Sequence, residues 1–213
     1  MTAQRPKIAI VVFDEVEVLD FAGPFEVFSA LRFDEATRRE SASPYEVIVA
    51  GVKPGIVHCR GGLKVQPDTT IDTLDASALH MLVIPGGYGV RPLLKDAEFL
   101  QWLRHAAPQP KRLVSVCTGS LLLAEAGQLD GLHATTHWLS LDWMARDWPK
   151  VFIERGRHFV IEGRVATSAG ISAGIDLALA LIAEDFGEPL ARATARHMEY
   201  PYPDSYARRI QIE

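Results

Sequence analysis

The chain has 213 residues, of which 48% are hydrophobic and 23% charged, and its formal net charge is −5. This length and mix predict a single packed domain over residues 1–213 and exclude a disordered or fibrous chain. The negative net charge argues against a nucleic-acid partner. No apolar run approaches the roughly 20 residues that span a bilayer, and the N-terminus has no signal-peptide pattern, so we expect no membrane association and a cytoplasmic location.

Strand and helix patterns alternate along the first part of the chain. The β-branched run Lys7–Phe13 predicts a buried strand, and Gly23-Pro24 opens a helical pattern that continues to Leu31. Tyr45–Ala50 predicts the next strand. Gly55–Pro67, with a Gly-Gly pair between two short β-like pieces, predicts a hairpin.

Two short buried strands then end abruptly in loops. Met81–Ile84 runs into a Pro-Gly-Gly turn, and Arg112–Val116 runs directly into Cys117. The remaining predicted strands lie near Ala134–Thr136, Phe159–Glu162 and Val165–Ser168, and the remaining predicted helices lie at Ala97–Ala106, Leu121–Ala126, Leu141–Trp148, Ala173–Phe186 and Pro189–Met198. This alternation predicts an α/β fold with a mostly parallel sheet and helices on both faces.

Cys117 lies where a parallel sheet binds its ligands, at the carboxyl end of a strand. Small residues two positions before and after it, Ser115 and Gly119, meet the steric requirement of a nucleophile elbow. The start of the following helix would favour a thiolate, so the expected pKa of Cys117 is low. The alternative is a cysteine that only fills the top of the sheet. Cys59, the second cysteine, is expected to be structural or incidental.

Five short motifs are spread over almost the whole chain: Asp20-Phe-Ala-Gly-Pro24, Ile84-Pro-Gly-Gly87, Val116-Cys-Thr-Gly-Ser120, Ala134-Thr-Thr-His-Trp138 and Ser168-Ala-Gly-Ile-Ser-Ala-Gly-Ile-Asp176. Together they resemble the DJ-1/PfpI superfamily, which implies a flavodoxin-like three-layer sandwich. Within it the motifs are most similar to those of the isonitrile hydratases. They are also similar to the amidase-like sensor domain of some AraC-type regulators.

The resemblance implies roles for the residues around the elbow. It makes Cys117 the nucleophile and Asp20 the acidic partner near the sulfur, although the local pattern of Asp20 would also suit a helix cap. Thr118 stands where the protease-like branch has histidine, and this argues against peptidase activity. The other acidic residues of this loop are expected to be solvated charges: Asp14, Glu15 and Glu17.

Further residues are expected to line the substrate pocket. The backbone N–H groups of Gly86 and Gly87, with that of Thr118, would stabilise an anion, unless the glycines form only a tight turn. The resemblance places His137 near the elbow. Possible pocket walls that could equally be core residues are Tyr88, Trp138 and Ile171. Packing or surface roles are expected for His58, His80, His105, His133, His158 and His197, which show no metal-binding spacing.

The resemblance implies hydration of an isonitrile to an N-substituted formamide, with Cys117 as nucleophile, Asp20 as acid and base, and Thr118 holding the sulfur or the water. Direct addition of water, guided by Asp20, stays open. No cofactor or metal is implied, the partner is a small-molecule substrate, and a homodimer is expected. The alternatives are a ligand-sensing domain without catalysis and a redox or glyoxal-handling protein. Only Pro201–Glu213 follows the last predicted helix, and we expect no DNA-binding module there.

Overall fold

The computed structural model of the protein describes residues 5–211. Its strands are β1 (Lys7–Val12), β2 (Glu46–Gly51), β3 (Val57–His58), β4 (Lys64–Val65), β5 (Thr69–Thr70), β6 (Leu79–Ile84), β7 (Arg112–Val116), β8 (His133–Ala134), β9 (Phe152–Ile153), β10 (Phe159–Glu162) and β11 (Val165–Ser168). Its α-helices are α1 (Val18–Ala30), α2 (Val90–Leu93), α3 (Ala97–Ala106), α4 (Gly119–Glu125), α5 (Leu141–Asp147), α6 (Ala173–Phe186) and α7 (Glu188–His197).

A seven-stranded sheet in the order β10-β11-β7-β6-β1-β2-β5 forms the centre of the molecule. Every neighbouring pair is parallel except the edge pair β10 and β11. The middle strands β1, β6 and β7 are almost fully buried, as expected for continuous apolar runs in a sheet that is covered on both sides. The α/β fold with a mostly parallel sheet is therefore confirmed.

Helices form a layer on each side of this sheet. Helices α1, α6 and α7 contact one another, with α1 on β1 and β2 and α6 on β11. Helices α2, α3 and α4 form the other group, in which α4 packs on β6 and β7. The predicted hairpin is present as the antiparallel pair β3 and β4, and the helices predicted at Ala97–Ala106 and Ala173–Phe186 have those bounds. Within residues 5–211 we find no helix with the length and apolar character needed to cross a bilayer.

The start of α1 differs from the sequence prediction. The helix begins at Val18, about a turn earlier than the Gly23-Pro24 pair, and Pro24 lies inside it. The residue before the helix, Glu17, makes no side-chain capping bond, so the sequence carries no start signal at this point. A Cβ atom on Gly23 would lie 2.9 Å from Ile175 Cγ1, and glycine thus allows α1 and α6 to pack closely. Asp20 is therefore a residue of the first helical turn.

Candidate active site

The chain turns sharply at Cys117, between β7 and α4. Its backbone has a φ of 57°, in the left-handed region that costs a residue with a side chain about 1–3 kcal/mol. The turn is held from the neighbouring strand, because the Cys117 N–H donates to the carbonyl oxygens of Ser168 and Ala169, each at 3.2 Å. The Cys117 carbonyl accepts from the hydroxyls of Ser120 and Thr136, both at 3.0 Å. The predicted elbow thus exists and is fixed on both sides.

Gly119 explains why the second position after the cysteine must be small. A Cβ atom there would lie 2.1 Å from the backbone oxygen of Ile84 at the end of β6. The first turn of α4 therefore passes directly over the neighbouring strand end, and this contact keeps Cys117 at the edge of the sheet. The cysteine side chain is buried, with 5% of its surface exposed.

Asp20 reaches the elbow from the first turn of α1. The Glu17 N–H donates to the Gly86 oxygen at 2.9 Å, which docks the start of α1 on the glycine loop. Asp20 is fully buried, and its Oδ2 accepts from the Gly86 N–H at 3.0 Å. Its Oδ1 has no nitrogen or oxygen partner within residues 5–211. Burial raises the pKa of Asp20 to about 8, although hydrogen bonds with the Cys117 thiol and with Gly86 oppose the rise.

The pKa of the Cys117 thiol is raised as well. Burial and, after it, the charge of Asp20 raise the pKa of Cys117 well above its usual range, while the backbone and hydroxyl of Thr118 act in the opposite sense. The expected thiolate is therefore wrong for the resting site. Helix α4 is only seven residues long, and its N-terminal groups do not outweigh the loss of water around the sulfur. At neutral pH a thiol faces a protonated carboxyl group.

The glycine loop after β6 has a different role from the one predicted. The Gly86 N–H is bonded to Asp20, and the Gly87 N–H donates to Thr118 Oγ1 at 3.0 Å. Neither group is a free donor for an anion, so the expected pocket of three N–H groups is not formed. A Cβ atom on Gly86 would lie 2.5 Å from Thr118 Oγ1 and 2.9 Å from Asp20 Oδ2. The loop instead allows the acid, the threonine and the elbow to meet.

His137 stands beside the sulfur, as the resemblance implied. A Cβ atom on Gly170 would lie 2.1 Å from His137 Cδ2 and 3.1 Å from Cys117 Sγ, so both side chains approach this glycine. Burial lowers the pKa of His137, and the positive charge of Arg208 lowers it further. Its Nδ1 accepts from the Leu139 N–H at 3.3 Å. A neutral ring with this contact carries its proton on Nε2.

A cavity of about 630 Å³ opens onto the elbow. Of the predicted site residues, its wall includes Gly87, Tyr88, Cys117, Thr118, His137 and Ile171. Gly86 and Asp20 are not part of this wall. Trp138 is 43% exposed and is not on the wall, because it begins a short 3-10 turn that presents the next residue instead. The remaining wall residues are Glu17, Val90, Arg91, Leu139, Ser140, Trp143 and Arg146.

The sequence of this chain fits a known family over most of its length. A model of the DJ-1/PfpI family matches residues 6–184. The chain belongs to the DJ-1/PfpI family. This match confirms the resemblance that was inferred from the five motifs.

Comparisons with individual DJ-1/PfpI relatives point in two functional directions. The chain is 34% identical to the isonitrile hydratase of Pseudomonas putida over 194 residues, which cover 91% of this chain and 78% of that protein. It is 35% identical to the HTH-type transcriptional regulator CdhR of Pseudomonas aeruginosa over 76% of this chain and 47% of the regulator, so it spans about half of that protein. The crystal structure of a THiJ/PfpI family protein from Pseudomonas syringae superposes with a TM-score of 0.80 at 29% identity, covering 95% of this chain and 78% of the other.

The rim of this DJ-1/PfpI cavity contains residues that the sequence analysis missed. Glu17, expected to be a solvated loop charge, lies on the wall next to the start of α1. On the opposite side the Arg91 guanidinium stacks over the Trp143 ring at 5.0 Å. These residues belong to α2 and α5, which come together only in the folded chain, and no local motif marks them. Within residues 5–211 no group of three or more His, Cys, Asp or Glu side chains could hold a metal ion.

Proposed function

We propose that this protein hydrates an isonitrile to the corresponding N-substituted formamide. The observation that carries the proposal is the pairing of the buried Cys117 thiol with the fully buried carboxyl group of Asp20, whose pKa is raised by burial to about 8. The relationship to the Pseudomonas putida isonitrile hydratase supports the same chemistry. The cavity in front of the pair has room for a small organic substituent.

An isonitrile, R–NC, must receive a proton and a nucleophile on the same terminal carbon. In the first step the Asp20 carboxyl donates its proton to that carbon, and the Cys117 sulfur bonds to it. The thiol proton passes to the carboxylate of Asp20, which is protonated again. The product is a thioimidate, R–N=CH–S–Cys117, in which the atoms of the thiol and the isonitrile are all retained. A neutral acid and a neutral thiol suit this step because the substrate has no net charge.

The second step consumes one water molecule. Water adds to the thioimidate carbon, and one of its protons passes to the nitrogen through Asp20. The C–S bond then breaks as the proton of the new hydroxyl group passes to the sulfur, which releases R–NH–CHO and the thiol. The Nε2–H of His137 is the donor that we assign to the substrate nitrogen, which becomes more basic as the imine forms. Thr118, whose hydroxyl lies next to the sulfur, would stabilise the sulfur as it leaves.

The proposal is tested with purified protein, cyclohexyl isocyanide and detection of the formamide by chromatography. We expect turnover by the wild-type protein and a loss of at least about 100-fold in Cys117→Ala and in Asp20→Asn, as removal of a reacting group produces. Cys59→Ser is the matched control, because this second buried thiol lies outside the cavity, and it should retain wild-type turnover. Full turnover by folded Cys117→Ala would contradict the covalent route, and inactive wild-type protein would contradict the function.

A ligand-sensing domain without catalysis is the second candidate. The observation in its favour is the 35% identity to the regulator CdhR over three quarters of this chain. It predicts that cyclohexyl isocyanide raises the melting temperature of the wild-type protein while no formamide appears. The redox alternative is less well supported, since a buried thiol with a raised pKa is a poor target for oxidation.

A further inference from the structure

The segment 206–209 folds back over the edge of the sheet that lies next to the active site. Its Tyr206 carbonyl accepts from the His158 N–H at 2.8 Å, and Ala207 forms an antiparallel bridge with Arg157. The Arg208 N–H donates to the Gly156 oxygen at 2.7 Å. These backbone bonds fix the segment in place, and the half-buried side chain of Arg208 extends from it to residues 135 and 136.

Arg208 clamps the short segment between β8 and the cavity. Its Nη2 donates to Thr135 Oγ1 at 2.9 Å and to the Thr136 oxygen at 3.1 Å, and its Nε donates to the Arg155 oxygen at 2.9 Å. No carboxylate within residues 5–211 forms an ion pair with this guanidinium. Arg208 is half-buried, and this partial removal from water lowers the pKa of its guanidinium. A guanidinium that binds only neutral oxygens in such a place costs desolvation energy without an ion pair to offset it.

The clamped segment connects directly to the reacting groups. The Thr136 hydroxyl donates a hydrogen bond to the Cys117 carbonyl oxygen at 3.0 Å and so helps to hold the elbow in place. Thr135 is anchored to β11 through its N–H, which donates to Thr167 Oγ1 at 2.9 Å. His137, which directly follows Thr136 in the sequence, lies on the cavity wall.

We propose that Arg208 is a positioning residue of this active site, which fixes residues 135–137 so that Thr136 supports the elbow and His137 faces the cavity. It does not touch the substrate. The proposal rests on the proposed function only for its turnover measurement. The charge of Arg208 adds a second effect, because a cation near the imidazole disfavours protonation of His137.

The test compares Arg208→Ala, Arg208→Lys and the control Arg157→Ala. Arg157 is an exposed arginine of the same region that contacts the clamp through its backbone alone, so its variant removes an equal charge and leaves these contacts in place. Three properties are measured: the titration of His137 by NMR, assigned with His137→Gln; the rate at which iodoacetamide alkylates Cys117; and kcat and KM for cyclohexyl isocyanide. The NMR and alkylation measurements do not depend on turnover.

In Arg208→Ala we expect the pKa of His137 to rise and kcat to fall about tenfold with KM nearly unchanged, the size of effect that a misplaced group produces. The alkylation rate of Cys117 should change by a similar factor. Arg208→Lys keeps the positive charge but cannot make the several hydrogen bonds of the guanidinium. In this variant His137 should therefore titrate as in the wild-type protein, while kcat should still fall. The Arg157→Ala protein should match wild type in every measurement.

The proposal would be overturned if folded Arg208→Ala had the wild-type pKa of His137, the wild-type alkylation rate of Cys117 and the wild-type kcat. If that variant does not fold, Arg208→Lys decides, and wild-type alkylation and kcat in it would overturn the proposal as well. If wild-type protein does not hydrate the isonitrile, the proposed function fails, while the titration of His137 and the alkylation of Cys117 still decide the role of Arg208.

Discussion

The active site depends on two side chains whose pKa values move in the same direction. Burial keeps a proton on Asp20, and the same burial, together with the neighbouring carboxyl group, keeps a proton on Cys117. The sequence suggested an activated thiolate because a helix begins directly after the cysteine. That reasoning omitted the depth of the sulfur, which depends on α1 and on the glycine loop and cannot be deduced from the elbow alone.

The state of Asp20 predicts how activity changes with pH. Because the proposed first step needs the carboxyl proton, kcat/KM should stay constant in mildly acidic and neutral solution and should fall as pH rises through about 8, the raised pKa of this group. The measurement is kcat/KM for cyclohexyl isocyanide from about pH 6 to about pH 10, with stability followed by circular dichroism. A rate that rises over this range, as it would for a reaction that needs a thiolate, would contradict the assignment of Asp20 as the acid.

Most elements could be predicted from local sequence patterns, and those that could not share a physical reason. The buried strands and the amphipathic α3 carry their periodicity or β-branched runs in one stretch of sequence. The start of α1 has no capping residue, and the fold alone determines it. Cys117 and Asp20, which we propose as the nucleophile and its acid, were found because motifs mark them. The rim residue Arg91 and the clamp residue Arg208 were missed because each acts on a segment distant in sequence.

The close passage of α4 over β6 predicts a strong effect of a small substitution. In Gly119→Ala the new methyl group would meet the Ile84 backbone oxygen, so α4 must move, and we expect a loss of about 2–4 kcal/mol in the free energy of unfolding. Gly156→Ala is the matched control, since its methyl group would enter open space. Urea unfolding of both variants gives the comparison. Equal stability of the two would mean that α4 is not held against the strand end.

On the scale of the whole molecule, several exposed apolar side chains lie on the cavity wall or within two residues of it in the sequence. Leu19, Tyr88, Trp138, Leu139 and Ile171 are each more than one third exposed, and three of them also line the cavity. A cluster of this kind is typical of a surface that binds another protein. We propose that a second copy of the chain covers it, in a symmetric homodimer with an active site in each protomer.

The dimer proposal is tested by light scattering after size-exclusion chromatography. We expect twice the mass of one chain for wild-type protein and a shift towards the monomer for Trp138→Glu, which places a charge in the cluster but not on the cavity wall. Phe152→Glu, a change at an aromatic residue of β9 that is also exposed, is the control and should stay dimeric. A monomeric wild-type protein would exclude this use of the surface.

The protonation state of the buried acid is the centre of this account, and infrared difference spectroscopy measures it directly. Wild-type protein minus Asp20→Asn should give the carbonyl band of a protonated carboxylic acid at neutral pH, and this band should disappear with a midpoint near 8. If the band is absent at neutral pH and the carboxyl titrates near the ordinary value for aspartate, Asp20 is a resting carboxylate and cannot supply the first proton.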